Sequence, residues 1–232
     1  MPRIKAVLFD LDETLLELDS ESFLSSYLHE LATQFSDVAP REEFTAAVWS
    51  ATEAMLESTD ASLTNQEVFM EAFFSQVEAK PHELMPRFDR FYREVFPRFR
   101  CFGRPHPQGR AVVSECLDRG LEAVVATNPV FPRPAVEERL KWAEIQDLPF
   151  ALVTTYEIMR YCKPHPGYFL EIARELAVDP SDCLMVGDDP EMDLAGAREV
   201  GMRTYHVIPG KPASDFEPDG RGDLRTLLSH LD

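Results

Sequence analysis

A chain of 232 residues with 44% hydrophobic content is too apolar for a disordered protein and long enough for a core carrying an inserted smaller unit. Its 41 acidic against 23 basic residues leave a formal charge of -18, a field that repels nucleic acid and anionic membranes. Cys101, Cys116, Cys162 and Cys183 form no CxxC pair and have no histidine at zinc spacing, which fits a reduced, cytoplasmic setting better than a disulfide framework. The first strand starts almost at once, so no signal peptide is expected, and no apolar run approaches the ~18 residues that span a bilayer. The expectation is a soluble monomer or homodimer acting on a small molecule.

In chain order, Ile4 to Phe9 reads as a buried central strand that ends in Asp10-Leu11-Asp12. Side chains two apart in extended chain point the same way, so both acids face one point beyond the strand's carboxyl end. Two unpaired buried carboxylates are costly, and this spacing calls for a hard cation and a substrate. From Glu13 to about Phe102 the pattern is almost entirely helical. One stripe runs through Phe23, Tyr27, Leu31 and Phe35 after a cap at Asp19 or Ser20, and a second through Phe44, Val48, Ala51 and Met55. A third, through Phe69, Phe73 and Val77, opens on the capping-box pattern Thr64-Asn65-Gln66-Glu67. A fourth follows Pro81 through Leu84, Phe88, Phe91 and Val95, flanked by Arg87, Arg90 and Arg93 as a solvated edge or a cationic surface for an anion. Pro97, Pro105 and Pro107 punctuate a return to the main unit.

From Gly109 onward, strands and helices alternate. Helices at about 110–119, 134–145, 166–177 and 192–200 are interleaved with strands at about 121–126, 150–153, 183–186 and 202–207, and a turn-rich tail at 215–222 precedes a short final helix. This rhythm predicts an α/β fold with a doubly wound parallel sheet and an inserted helical block.

Ligands of such sheets bind beyond the carboxyl ends of the strands. Asp10 and Asp12 follow the first strand, Thr127 and Asn128 another, and Asp188 and Asp189 a third, with Asp193 a turn further on. Lys163 precedes Pro164 at the mouth of a helix. Asp10, Asp12 and Asp188 offer hard oxygen ligands, which suit Mg2+ better than zinc. Asp10 can attack phosphorus as a carboxylate, and Asp12 can protonate the leaving alcohol and then deprotonate water. Thr127 and Lys163 would hold and neutralise the phosphoryl group.

Val7-Leu8-Phe9-Asp10-Leu11-Asp12-Glu13-Thr14-Leu15 resembles the first motif of the haloacid dehalogenase-like hydrolases. Val125-Ala126-Thr127-Asn128 resembles their second motif and Lys163-Pro164 their third. The fourth is matched by the stretch from Val186-Gly187-Asp188-Asp189 to Asp193-Leu194-Ala195-Gly196-Ala197. The resemblance implies a Rossmann-like catalytic core (1–14 and 103–232), a helical cap (15–102) and a Mg2+-dependent phosphatase acting on a small phosphorylated metabolite. It implies Asp10 as nucleophile and Asp12 as acid/base, with Thr127, Asn128 and Lys163 on the phosphate. Asp10, Asp12 and Asp188 would serve the metal, with Asp193 binding it directly, through water, or by holding Lys163. Glu13, Pro129 and Met192 depart from the family's usual residues. A phosphomutase is the near alternative, and a catalytically silent binding module the alternative of another class. A 2-haloacid dehalogenase would need neither Asp12 nor a metal, and a phosphonate hydrolase would need a cap lysine, for which only Lys80 is present.

Overall fold

The computed structural model describes residues 4–207 and 216–231. The apolar run at the start forms strand β1 (Ala6–Phe9), all four residues buried. It lies between β4 (Glu122–Val125) and β6 (Cys183–Gly187), parallel to both. With β5 (Leu152–Val153), β7 (Arg203–Val207) and β8 (Gly220–Gly222), the sheet runs β5-β4-β1-β6-β7-β8, every pair parallel. The chain leaves β1 toward β5, then returns to the far side of β1 to lay down β6. That reversal opens a crevice between the carboxyl ends of β1 and β6.

Alternation along the strands fills two cores. Val7, Phe9, Val125 and Val186 face one layer, with α5 (Gly109–Asp118), α6 (Arg133–Trp142) and α9 (Leu224–Leu227). Leu8, Val124 and Met185 face the other, with α7 (Pro166–Glu175) and α8 (Gly196–Glu199). A sheet covered on both faces needs strands that are apolar at consecutive positions, which is why β1 reads as a continuous run.

Helices α1 (Ser20–Gln34), α2 (Arg41–Glu57), α3 (Asn65–Phe74) and α4 (Pro81–Arg90) form the insertion. Their stripes are buried as the spacing predicts: Phe23, Tyr27 and Leu31, then Phe44, Ala51 and Met55, then Phe73, then Leu84 and Phe88. Asp19 caps α1 at the Ser22 amide, and the Thr64/Glu67 capping box forms in full. The start of α3 is bonded to the catalytic unit. The Asn65 amide donates to Met159 O at 2.8 Å, the Gln66 amide to Tyr156 O at 2.9 Å, and Asn65 Nδ2 to Pro129 O at 3.2 Å.

Four expectations change. The insertion is not wholly helical at its root, where β2 (Leu16–Leu18) pairs antiparallel with β3 (Gly103–Pro105) and Glu17 forms an ion pair with Arg104. Strands of three residues are too short to leave a periodic signal, and their pairing is decided some 80 positions away in sequence. The fourth cap helix ends at Arg90 and continues as a wider turn over Phe91–Val95, then as a tight helix over Phe96–Phe102. Pro97 has no N–H to donate, which suits its place in the first turn of the tight helix. The segment after β6 divides in the same way, with a wide turn over Pro190–Ala195 before α8. In the tail, Gly220–Gly222 is an edge strand, while Asp215 lies outside the described residues. No helix among the described residues is long and apolar enough to cross a membrane.

Candidate active site

Asp10 is the first residue past β1, and its amide donates to Val186 O at 2.9 Å, which continues the sheet ladder and fixes its direction. The next turn is tight: the Leu15 and Leu16 amides both donate to Leu11 O, and Glu13 takes a left-handed φ of 62°. Glycine adopts that conformation without strain. Glu13 is held there by two bonds, its own amide donating to Leu16 O and its carboxylate accepting from the Leu18 amide. The turn buries Thr14, whose hydroxyl lies 3.5 Å from Asp188 Oδ1.

Lys163 lies at the centre, 2% exposed, with Nζ 2.6 Å from Asp10 Oδ1 and 2.7 Å from Asp193 Oδ1. Its backbone amide donates to Asn128 Oδ1 at 3.1 Å, so Asn128 anchors the loop that carries the lysine. Thr127 is buried, and its carbonyl accepts from Thr154 Oγ1 at 2.7 Å and from the Tyr168 hydroxyl at 3.0 Å. The Asp193 Oδ2 atom accepts from the Asp189 amide, and Asp189 caps the following turn at the Glu191 and Met192 amides. Two glycines make this packing possible. A Cβ on Gly187 would lie 2.1 Å from Asp193 Oδ2, and one on Gly196 would lie 2.0 Å from Pro164 O.

Ligand oxygens of Asp10, Asp188 and Asp193 all fall within 4.8 Å of one another. Burial and the neighbouring Asp10 push Asp188 up to about 8. Burial also raises Asp193, to about 7, against the pull of Lys163. Asp10 shifts upward through burial and the charge of Asp12, again despite Lys163. Burial alone would lower Lys163, but Asp10 and Asp193 outweigh it and hold the lysine charged. The three carboxylates shift upward because each loses water, while Asp10 and Asp193 share one cation and Asp188 faces only their charge. A pocket with this excess of oxygen charge fits a hard divalent ion, since one would relieve the repulsion that one lysine leaves.

Asp12 stands apart from the other acids. Its carboxylate belongs to no three-acid group and is instead ion-paired to Arg139 of α6. Arg139 is 2% exposed, stacks on the Phe131 ring at 4.7 Å, and has no partner for Nε or Nη2. The structure thus collects Asp10, Asp12, Thr127, Asn128, Lys163, Asp188 and Asp193 on one pocket, and adds Arg139. Sequence reading missed Arg139, although an arginine on the buried stripe Ala135, Val136, Arg139, Leu140 is a detectable irregularity. The cap arginines do not reach the pocket. Arg87 is committed to Asp37 and the Phe35 ring, and Arg93 to Asp89.

The profile of the haloacid dehalogenase-like hydrolases matches residues 4–201. The pyrophosphatase PpaX of Bacillus cereus strain Q1 is 26% identical over 238 residues, covering 99% of this chain and 98% of the relative. A 2-haloacid dehalogenase from Pseudomonas syringae pv. Tomato DC3000 superposes with a TM-score of 0.63 at 28% identity, over 98% of each chain. A HAD phosphatase from Thermococcus onnurineus shares the fold with a TM-score of 0.63 at 24% identity, over 98% of each chain. With its four motifs gathered at the switch point of a parallel sheet under a helical insertion, this chain belongs to the haloacid dehalogenase-like hydrolases.

Proposed function

We propose that the chain is a Mg2+-dependent phosphatase that hydrolyses a small-molecule phosphomonoester through an aspartyl-phosphate at Asp10. The observation that carries this reading is the position of Asp10, with one oxygen on the Lys163 ammonium and the carboxylate within a three-acid cluster at the end of β1. Asp10, Asp188 and Asp193 would hold the ion, with the Asp12 backbone beside it, and it would supply positive charge against the phosphoryl oxygens. Lys163 orients the Asp10 carboxylate and offsets charge on the phosphoryl group, while the hydroxyl of Thr127 and the Asn128 amide receive its other oxygens. Asp12 gives a proton to the departing alcohol, then takes one from the water that cleaves the acyl phosphate. To do so it exchanges its ion pair with Arg139 for the substrate, and the helical cap (15–102) over the catalytic core (1–14 and 103–232) keeps water out of the first step.

A second reading is favoured by one likeness: the Pseudomonas relative is described as a 2-haloacid dehalogenase. That chemistry does not call for Asp12 or for a metal cluster, and this chain has both. A phosphomutase shares the first half-reaction and differs only in shielding the intermediate from water.

A panel of phosphorylated metabolites and 2-chloropropionate, scored for phosphate and chloride release with and without Mg2+, decides among these. Phosphate release that needs Mg2+ and is lost in Asp10→Asn is expected. Activity undiminished by that variant or by excess EDTA, or chloride release alone, rules the reading out.

A further inference from the structure

Beside the acidic pocket lies a second cavity of about 280 Å3, close to the lower end of the ~300–1,000 Å3 typical of small-ligand sites. It sits between the first two cap helices and the loop after β4. The two cavities share Asn128, Val130 and Phe131 as lining, so their walls are continuous.

No charged side chain lines the second cavity. Its walls are aliphatic and aromatic, from Leu28, Val48 and Leu56 to Phe88 and Phe131. The few hydroxyls present are already engaged: those of Tyr27 and Tyr92 lie 2.7 Å apart, and Tyr156 accepts from Gln66. Burial raises Tyr27 and Tyr92 well above the ordinary phenol range, so neither offers a charge. Arg139 lines the acidic pocket and not this cavity, so it does not meet an anion seated here. Trp49 and Leu56, two of the three large hydrophobics left exposed among the described residues, stand at this cavity.

From this continuity we infer that the alcohol carried by the substrate is uncharged and apolar, of alkyl-chain or single-aryl size, and seats in this cavity while its phosphoryl group lies on Asp10. The inference rests on the phosphatase reading and narrows it. A second phosphate or a carboxylate on the leaving group would be desolvated here with no cation to meet it. A polyol would lose hydrogen bonds that the walls do not replace.

The test is a homologous series of methyl, propyl and hexyl phosphate, with phosphoglycolate and pyrophosphate as charged comparators and the wild-type chain throughout. Leaving-group chemistry is nearly constant along the series, so kcat/KM should rise about threefold to fourfold per methylene until the cavity is full. Phosphoglycolate should fall below hexyl phosphate by roughly tenfold to two-hundredfold, the range over which apolar pockets discriminate. Pyrophosphate, whose leaving group is intrinsically better than an alcohol, is compared by KM, which should exceed that of hexyl phosphate. Leu56→Glu, at a position already 40% exposed, should cut the hexyl value at least about tenfold and the methyl value much less, so that the gain along the series is lost. Binding is read independently by nitrobenzene, an uncharged single-ring quencher, which should quench Trp49 emission in the wild type and not in Leu56→Glu, over the background of buried Trp142. Phosphate release that is flat along the series, or better from phosphoglycolate than from hexyl phosphate, overturns the inference and leaves the phosphatase reading standing. No release from any ester overturns the phosphatase reading, and the nitrobenzene signal then decides the cavity alone: quenching upholds an apolar occupant, and its absence removes it.

Discussion

Removing either half of the Asp12–Arg139 pair should have unequal consequences for stability. Arg139 is 2% exposed, whereas the Asp12 side chain is 29% exposed. Asp12→Ala therefore leaves a guanidinium buried without its carboxylate, which costs ~3–5 kcal/mol. Arg139→Met leaves a carboxylate that is 29% exposed, although its Oδ1 stays buried, and it also removes two buried nitrogens that have no partner. Each such unsatisfied donor costs about 1–3 kcal/mol, which offsets the lost ion pair and the lost contact with the Phe131 ring. The net change for Arg139→Met should fall within about 1 kcal/mol of zero. The double variant should recover most of what Asp12→Ala loses, because the stranded charge is gone. Urea unfolding of the four proteins measures this. With an m-value near the upper end of the ~1–3 kcal/mol/M range, the midpoint of Asp12→Ala should fall by about 1 M or more. Equal losses in the two single variants, or a double variant no better than Asp12→Ala, would refute the reasoning.

Other predictions concern the acids and their neighbours. In the metal-free protein Asp188 and Asp193 hold protons up to about 8 and about 7, and these must leave before the carboxylates bind an ion. Apparent Mg2+ affinity, measured by calorimetry, should fall by roughly tenfold from pH 8 to 7 and more steeply from 7 to 6, where two protons must leave for each ion bound; an affinity that is flat with pH contradicts the cluster. Both carboxyls have folded values above their unfolded ones, so the metal-free fold binds protons that the unfolded chain has released. Its thermal stability should therefore decline as pH rises from about 4 to about 8. Lys163→Met strips the one cation shared by Asp10 and Asp193, and kcat should drop ~10²–10³-fold, the usual effect of losing one preorganised charge partner. Gly187→Ala drives a methyl group into Asp193, so it should destabilise by ~1–3 kcal/mol and weaken Mg2+ binding, read by melting with and without the ion.

What could be read from sequence followed the range of the interaction involved. The strand β1, the first three cap stripes and the Thr64/Glu67 box rest on contacts within one or two turns or on simple alternation, and they stand where the periodicity places them, whereas the fourth stripe changes its winding after Arg90. The acids and Lys163 were found because the strand-end rule converts sequence order into spatial proximity. Their partition into a cluster around Lys163 and a separate Asp12–Arg139 pair was not legible. It depends on which acid a buried side chain 127 positions away happens to meet. The β2–β3 ribbon and the edge strand β8 are too short to be periodic, and each is set by its partner strand. Glu13 and Gly187 are intermediate cases. The residue pattern flags the position, and only the φ of 62° and the 2.1 Å approach give the reason.

The central claim is that Asp10 takes the phosphoryl group. Rapid acid quenching during Mg2+-dependent turnover of hexyl phosphate, followed by peptide mass mapping, tests it directly. The account predicts one phosphoryl group on Asp10 in the wild type, none in Asp10→Asn, and heavy oxygen from labelled water only in the released phosphate. Turnover with an unmodified Asp10 throughout, or heavy oxygen in the Asp10 carboxylate, would contradict it.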